Sequence, residues 1–265
     1  LLNKELSPKL ACLYISRKHV NSGATMSLEL MYEGKSKRVY VKTADELVME
    51  FKDEVTAGDG AVKAVAPGKG VLCAAVSAHL FKHLESSGIR THFLSYDGVR
   101  RLTVRRLRMV PLEVIVRNYA YGSLLKRVPL FKELQPLNPP LVEFHYKDDS
   151  LHDPLVLVED VVRSGLATRE LLDAMVKASL RANEELTKLL ASKGLTLVDA
   201  KFEFGLLGGG LVLADEISGD TVRVLDESGR HLDKEVFRRS KSVEALLVAY
   251  RELASRLGLE APTGR

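Results

Sequence analysis

Residues 195–216 read LTLVDAKFEFGLLGGGLVLADE. The first half alternates with a period of two. Val198, Ala200, Phe202 and Phe204 fall on one face, and Asp199, Lys201 and Glu203 on the other. Gly208, Gly209 and Gly210 can take the positive φ of a tight turn, after which residues 211–216 return as a second arm. With all three glycines in the loop, Glu203 stands opposite Asp215 and the two carboxylates share a face. Such a pair needs compensation from water, a lysine or a divalent cation. Lys201 lies one residue pair away on that face. Two carboxylates with a lysine suit a magnesium–nucleotide site. They also suit the solvated face of an antiparallel sheet, and the hairpin alone favours that plainer reading.

Working outward, the chain of 265 residues is long enough for one large domain or two lobes around a cleft. Its net charge of +4, without a basic tail, points to small anions rather than a nucleic-acid polymer. Cys12 and Cys73 are the only cysteines and have no metal-ligand spacing, which suggests a reducing, cytoplasmic setting. No apolar run approaches the roughly 20 residues that span a bilayer. Residues 1–25 lack a methionine and are broken by charges, so a signal peptide is not expected. Met26 opens the first strand pattern. Residues 1–25 are therefore expected to be a dispensable extension.

Residues 28–42 read as strand, turn, strand, with Gly34 between Lys35 and Lys37 at the tip. Backbone and ammonium groups there can close over phosphates, although most such tips are solvated turns. Residues 53–63 read as a polar loop. A helix of about four turns follows Gly70, with Val76, Leu80, Phe81 and Leu84 as its buried stripe. His79 and His83 lie one turn apart and are expected to face solvent. Pro111 interrupts the apolar passage 107–116, which places a crossing between sheets, a hinge, at that proline. The free backbone there can meet an adenine edge, with Met109 against the ring. Arg117 ends a strand, and Gly122 and Ser123 open a helix. Together these read as an anion site or as a capped helix beside an exposed arginine. Residues 136–140 read as a loop and 142–146 as a short strand. Lys147, Asp148, Asp149, His152 and Asp153 crowd one polar loop. Thr168 caps a helix running to Lys193, and Ser242 begins the last helix.

Nine segments occur in order: YEGKSKRVY, FKDEVTAGDG, GKG, THF, MVPLEVIVRNYAYGSLLKR, YKDDSLHDP, LVDAKFEFG, LADEISGDTVRV and LDKEVFRRS. As an ordered set they resemble the SAICAR synthetase family, from about Met26 onward. The resemblance implies an α+β fold with two lobes around an ATP cleft, antiparallel sheets with helices, and a protein-kinase- or ATP-grasp-like N-terminal lobe. The lobes would be residues 26–110 and 111–265. It implies ATP-dependent ligation of L-aspartate to 5-amino-1-(5-phosphoribosyl)imidazole-4-carboxylate in purine biosynthesis, by a homo-oligomer, here expected as a dimer. ATP and Mg²⁺ are the implied cofactors. By motif, Gly34, Lys35 and Lys37 would cover the ATP phosphates. The backbone from Arg108 to Val110 would meet adenine, and Glu203 and Asp215 would hold Mg²⁺. Lys147, Asp199 and Lys201 would be catalytic. Arg117, Ser123, Arg223 and Asp153 would bind substrate, with Asp59 and Lys63 as further aspartate candidates. Several positions depart from the family pattern: Cys73 and Ala74 after GKG, Leu157, Gly219 and Leu225. These bear on the substrate pockets rather than on the ATP side.

Two other readings compete. A small-molecule kinase would share the hairpin and the carboxylates but would not need aspartate. A nucleotide- or RNA-binding module would need a basic stripe with exposed aromatics, and Arg105, Arg106, Arg108, Lys126 and Arg127 are too scattered for one.

Overall fold

The computed structural model describes residues 28–58 and 60–259. The expected extension 1–25 and the candidate Asp59 lie outside them. The chain begins with β1 (Glu29–Glu33), β2 (Lys37–Val41) and β3 (Glu46–Phe51). A small hairpin follows, β4 (Glu54–Ala57) and β5 (Val62–Val65), then helix α1 (Lys69–Ser86), β6 (Phe93–Tyr96) and β7 (Arg101–Arg105). Strands β1-β2-β3-β7-β6 pair in that order, all antiparallel. The rest runs β8 (Arg108–Tyr119), α2 (Ser123–Arg127), β9 (Pro136–Tyr146), β10 (Leu155–Val156), α3 (Val158–Arg163), α4 (Arg169–Ala191), β11 (Thr196–Leu207), β12 (Gly210–Ala214), β13 (Val222–Leu225), α5 (Glu235–Ser240) and α6 (Val243–Arg256). Its sheet has the order β10-β9-β8-β11-β12, with β13 also paired to β11.

The alternation in β8 and β11 decides where the core lies. Leu112, Val114 and Val116 of β8 and Ala200, Phe202 and Phe204 of β11 are buried together. The long helix α4 covers that face with Leu172, Met175, Leu186 and Leu190. Each large apolar side chain so buried contributes about 1.5–3 kcal/mol. The Thr168 side chain caps α4 by accepting from Leu171 N at 3.3 Å, and Ser242 caps α6 by accepting from Ala245 N at 3.1 Å.

Several expectations need correction. The glycine turn uses two residues, not three: Leu207 pairs with Gly210, so the register slips by one and Glu203 faces Ala214 rather than Asp215. Residues 53–63 are not a polar loop, because Val55 and Ala57 point into the core and pair β4 with β5. The strand β9 starts at Pro136 rather than at 142, since the missing N–H groups of the prolines are tolerated near its beginning. The change of sheet comes at Arg106–Leu107, and Pro111 sits inside β8, where the pairing with β11 is irregular between Glu203 and Gly205. Helix α1 begins at Lys69 and spans 18 residues. It is buried on nearly every side because it packs on the first sheet, α4 and α6. His79 and His83 are half-buried, not solvent-facing. The segment at Ser123 is a helix of only five residues.

Candidate active site

The site is the polar face of the second sheet, opposite α4. Glu113 and Arg117 alternate with the core residues of β8, and Asp199, Lys201 and Glu203 with those of β11. Registry places Glu113 beside Glu203, Arg117 beside Asp199, and Asp199 beside Arg223 of β13. On the other side Glu113 faces His145 of β9. The carboxylate directly opposite Glu203 is therefore Glu113, which sequence reasoning missed. Its signal was the same alternation, Leu112-Glu113-Val114, but the pairing that makes it matter spans some ninety residues of chain and is invisible locally.

Charge compensation comes from lysines. Glu203 is 3% exposed. Lys147 bonds its Oε2, and Lys201 lies 3.3 Å from its Oε1 while also bonding Glu113. Asp215 leaves β12 with φ 61°, which swings its side chain out of the ladder. Its Oδ1 accepts from Lys37 Nζ at 2.7 Å, and Lys37 also bonds Glu216 Oε1 at 2.8 Å. Burial opposes the charge on Lys37, yet Asp215 and Glu216 hold the ammonium above its ordinary range. Burial likewise opposes Lys201, but Glu203, Glu113 and Asp215 outweigh it. Burial alone would raise the Asp215 carboxyl, and Lys37, Lys147 and Lys201 hold it well below the usual range. Glu203 and Asp215 are thus brought into one electrostatic cluster, although by a different route from the one expected. Glu216, which carried no assigned role, belongs to it as well.

The remaining candidates divide. Gly34 closes the β1–β2 turn by donating from its N to Lys37 O at 2.8 Å, and Lys35 at that tip bonds Asp149 at 2.7 Å. Both of these side chains are well exposed, so the pair adds little stability. Asp153 Oδ1 accepts from Asp148 N at 2.9 Å and ties the 147–153 loop together. Arg108 is exposed and Val110 buried at the start of β8. Met109, 43% exposed, lies opposite Gly205, where a Cβ would come within 2.6 Å of the Leu107 side chain. Only glycine lets β8 start so close to β11. Lys63 is an exposed residue of β5 paired with Thr56 and is not joined to the cluster by any described contact.

Arg117 is not an open clamp. It is 1% exposed, and its guanidinium donates to Glu143 Oε2, Asp199 Oδ2, Tyr121 O and Ser123 Oγ at 2.9–3.3 Å. Two acidic neighbours, Glu143 and Asp199, compensate its charge, and it ties Asp199 to Ser123. Arg223 donates to Asp199 at 2.8 Å and to Glu235 at 3.2 Å, with its guanidinium 5.2 Å from the Tyr121 ring.

Sequence reasoning also missed a buried group behind the cluster. Lys69, at the start of α1, lies 2.5 Å from Asp220. Cys73, Glu216 and Asp220 offer ligand atoms within 4.8 Å of one another, the one such triad among the described residues. Lys69 already neutralises Asp220, and burial pushes the Cys73 thiol up to about 12. A protonated thiol and an ammonium suit a metal poorly. Glu203 and Asp215 offer only hard carboxylate oxygens, which suit Mg²⁺ shared with phosphates.

The SAICAR synthetase family profile matches residues 30–256. A phosphoribosylaminoimidazole-succinocarboxamide synthase of Caldivirga maquilingensis is 58% identical over 232 residues, covering 87% of this chain and 96% of the relative. That of Pyrobaculum aerophilum is 55% identical over 226 residues, covering 85% and 95%. Among solved structures, a SAICAR synthetase in complex with ADP superposes with a TM-score of 0.84 at 46% identity, covering 88% of this chain and 99% of that one. The SAICAR synthetase of Pyrococcus horikoshii gives 0.81 at 45% identity, covering 86% and 100%. No described helix is long and apolar enough to cross a membrane. The chain belongs to the SAICAR synthetase family, ligases of purine biosynthesis that join aspartate to an aminoimidazole carboxylate ribonucleotide with cleavage of ATP.

Proposed function

We propose that this enzyme performs the ligation where Lys37, Lys147 and Lys201 converge on Glu203, Asp215 and Glu216, between the two sheets. That convergence is the observation that carries the reading. Gly34, Lys35 and Lys37 cover the ATP phosphates, and the backbone from Arg108 to Val110 faces adenine beside Met109. Glu203 and Asp215 would hold Mg²⁺, which when bound neutralises phosphate charge. The ribonucleotide lies toward Arg223 and Ser123, with Arg117 and Asp199 positioning both. Asp153 shapes the loop that presents Lys147.

The chemistry asks for little covalent help. A carboxylate is a poor acyl donor, so a carboxylate oxygen of the imidazole substrate attacks the γ-phosphorus and ADP leaves. The aspartate amine then attacks the acyl carbon, phosphate leaves and the amine proton is lost. Lysines that follow the moving phosphoryl group stabilise both steps by position and charge. The two cysteines and the small anionic substrates fit a cytoplasmic enzyme, and a homodimer is the assembly we expect.

An assay of ADP and amide formation, with aspartate present or omitted, separates a ligase from a kinase. We expect the amide only with aspartate. A stable phosphorylated product without aspartate would favour the kinase. Glu203→Gln and Asp215→Asn should each lower turnover by at least about tenfold and raise the Mg²⁺ needed for half-maximal rate. Full rate with unchanged Mg²⁺ dependence in both variants would reduce the cluster to a buried structural ion network without a part in catalysis.

A further inference from the structure

A chain of hydrogen bonds beside the proposed ribonucleotide site has no part in the roles given so far. Asp233 is fully buried, and its Oδ2 accepts from Val224 N at 2.8 Å and faces His231 Nδ1 at 2.9 Å. The Tyr121 hydroxyl lies 2.8 Å from His231 Nε2. The phenol oxygen also accepts from Arg239 Nη2. Arg239, Tyr121, His231 and Asp233 thus form one continuous row of polar contacts from the surface to a buried carboxylate.

Tyr121 is also where two arginines meet. The guanidinium of Arg223 lies 5.2 Å and that of Arg239 5.6 Å from its ring. Arg223, Arg238 and Arg239 share the single carboxylate of Glu235, at 3.2, 3.0 and 3.8 Å. The other acidic partner of Arg239 is Glu133, in an exposed pair with it. A Cβ on Gly122 would come within 2.9 Å of Arg223, so the chain after Tyr121 runs against that guanidinium. Asp199 is a second partner of Arg223, so three guanidiniums meet three carboxylates, and Arg239 is the one of them that reaches well into solvent, with its nearer carboxylate, Glu133, in an exposed and exchangeable pair. A dianionic phosphate fits a pair of guanidiniums better than one cation does.

We propose that Arg239 is a second arginine ligand for the 5′-phosphate of the ribonucleotide, and that Tyr121, His231 and Asp233 position it. Phosphate exchanges with Glu133 for Arg239, while the phenol keeps the guanidinium in place. The inference rests on the placement of the ribonucleotide beside Arg223 and Ser123.

The test compares the ribonucleotide with its nucleoside, which lacks the phosphate, at saturating ATP and aspartate. Specificity constants are measured for wild type, Tyr121→Phe, Arg239→Gln, Arg239→Lys and Arg223→Gln. Where nucleoside turnover is too slow to read, calorimetric Kd values replace the specificity constants. We expect the preference for the nucleotide to fall about tenfold in Arg239→Gln and several-fold in Tyr121→Phe, the scale of one charge-assisted hydrogen bond. The loss should lie in KM for the ribonucleotide, with kcat and KM for ATP held. Arg239→Lys should recover part of it. If Arg223→Gln lowers the preference while the Tyr121 and Arg239 variants do not, the relay is not part of phosphate recognition and the substrate placement stands. If none of the variants changes it, phosphate is not read here and both readings fail. Equal loss for nucleotide and nucleoside in the Tyr121 and Arg239 variants makes the relay merely structural and overturns the inference.

Discussion

Glu143 shows how one buried side chain sets the behaviour of the site. It faces Arg117 and Arg127, and His145 Nε2 lies 3.4 Å from it. Burial would raise its carboxyl, but hydrogen bonds from His145, Arg117 and Arg127 bring it down to about 2. Its value in the folded protein is below that in the unfolded chain. The stability it contributes is therefore fully present above about pH 4.5 and is lost as pH falls toward 2. Glu143→Gln keeps the shape and removes the charge beside a buried arginine. At pH 7 it should lower stability by about 3 kcal/mol, the scale of breaking a buried ion pair from one side. Melting temperatures measured from pH 7 down to pH 3 check this, and the gap to wild type should narrow below about pH 4.5. A gap independent of pH would mean that the carboxylate charge is not what stabilises the Arg117 network.

At the scale of elements, the β11–β12 hairpin carries Glu203 and leads to Asp215, so its turn fixes the spacing of the cluster. Gly208 and Gly209 have φ of 59° and 79°, the sign a two-residue turn needs. A Cβ on either would meet nothing within 4 Å. Backbone conformation, not space, is then the only obstacle to substitution. Gly208→Asn should be nearly neutral, whereas Gly208→Val should cost about 1–2 kcal/mol in denaturant unfolding. Equal effects of the two would show that the turn is not held in this form. The same hairpin marks how far the sequence could be read. The alternation of β11 and the capped apolar stripes of α4 and α6 were plain, because each has one period and a clear end. The turn register was not, since three consecutive glycines permit two loops. Strand β9 was hidden by its prolines, and β4–β5 by their shortness among glycines. Of the charged cluster, Lys37, Lys201, Glu203 and Asp215 were singled out by local motifs. Glu113, Glu216 and the Lys69–Asp220 pair were not, because only pairing between distant segments gives them partners. The enclosure of Arg117 by Glu143 and Asp199 was not legible either, because nothing local reveals those partners.

For the whole molecule, the decisive contacts run between the two sheets. Lys37 of β2 reaches Asp215 and Glu216 beyond β12, Lys35 reaches Asp149, and Thr91 bridges to Leu213. One apolar cluster continues from β3 and α1 to α4, β11 and α6. The cleft is thus closed at its base by core packing and across its polar face by ammonium–carboxylate pairs. Those pairs constrain how the Mg²⁺ proposed above could enter. A cation at Glu203 and Asp215 must displace Lys147, Lys201 or Lys37, and a buried ammonium without a partner is costly. ATP removes that cost, because its phosphates accept the displaced lysines. Binding of Mg²⁺ and of nucleotide should therefore be coupled, and by linkage each should tighten the other by the same factor. Calorimetry with Mg²⁺ alone, a non-hydrolysable ATP analogue alone, and both together measures this, after correction for the complex they form in solution. We expect the coupling to exceed about tenfold, corresponding to about 1.4 kcal/mol. Lys37→Met leaves Asp215 and Glu216 without their ammonium. It should strengthen the binding of Mg²⁺ alone while reducing the coupling. If wild type binds Mg²⁺ as tightly without nucleotide as with it, or if Lys37→Met leaves both quantities unchanged, the lysines do not hold the metal site's place.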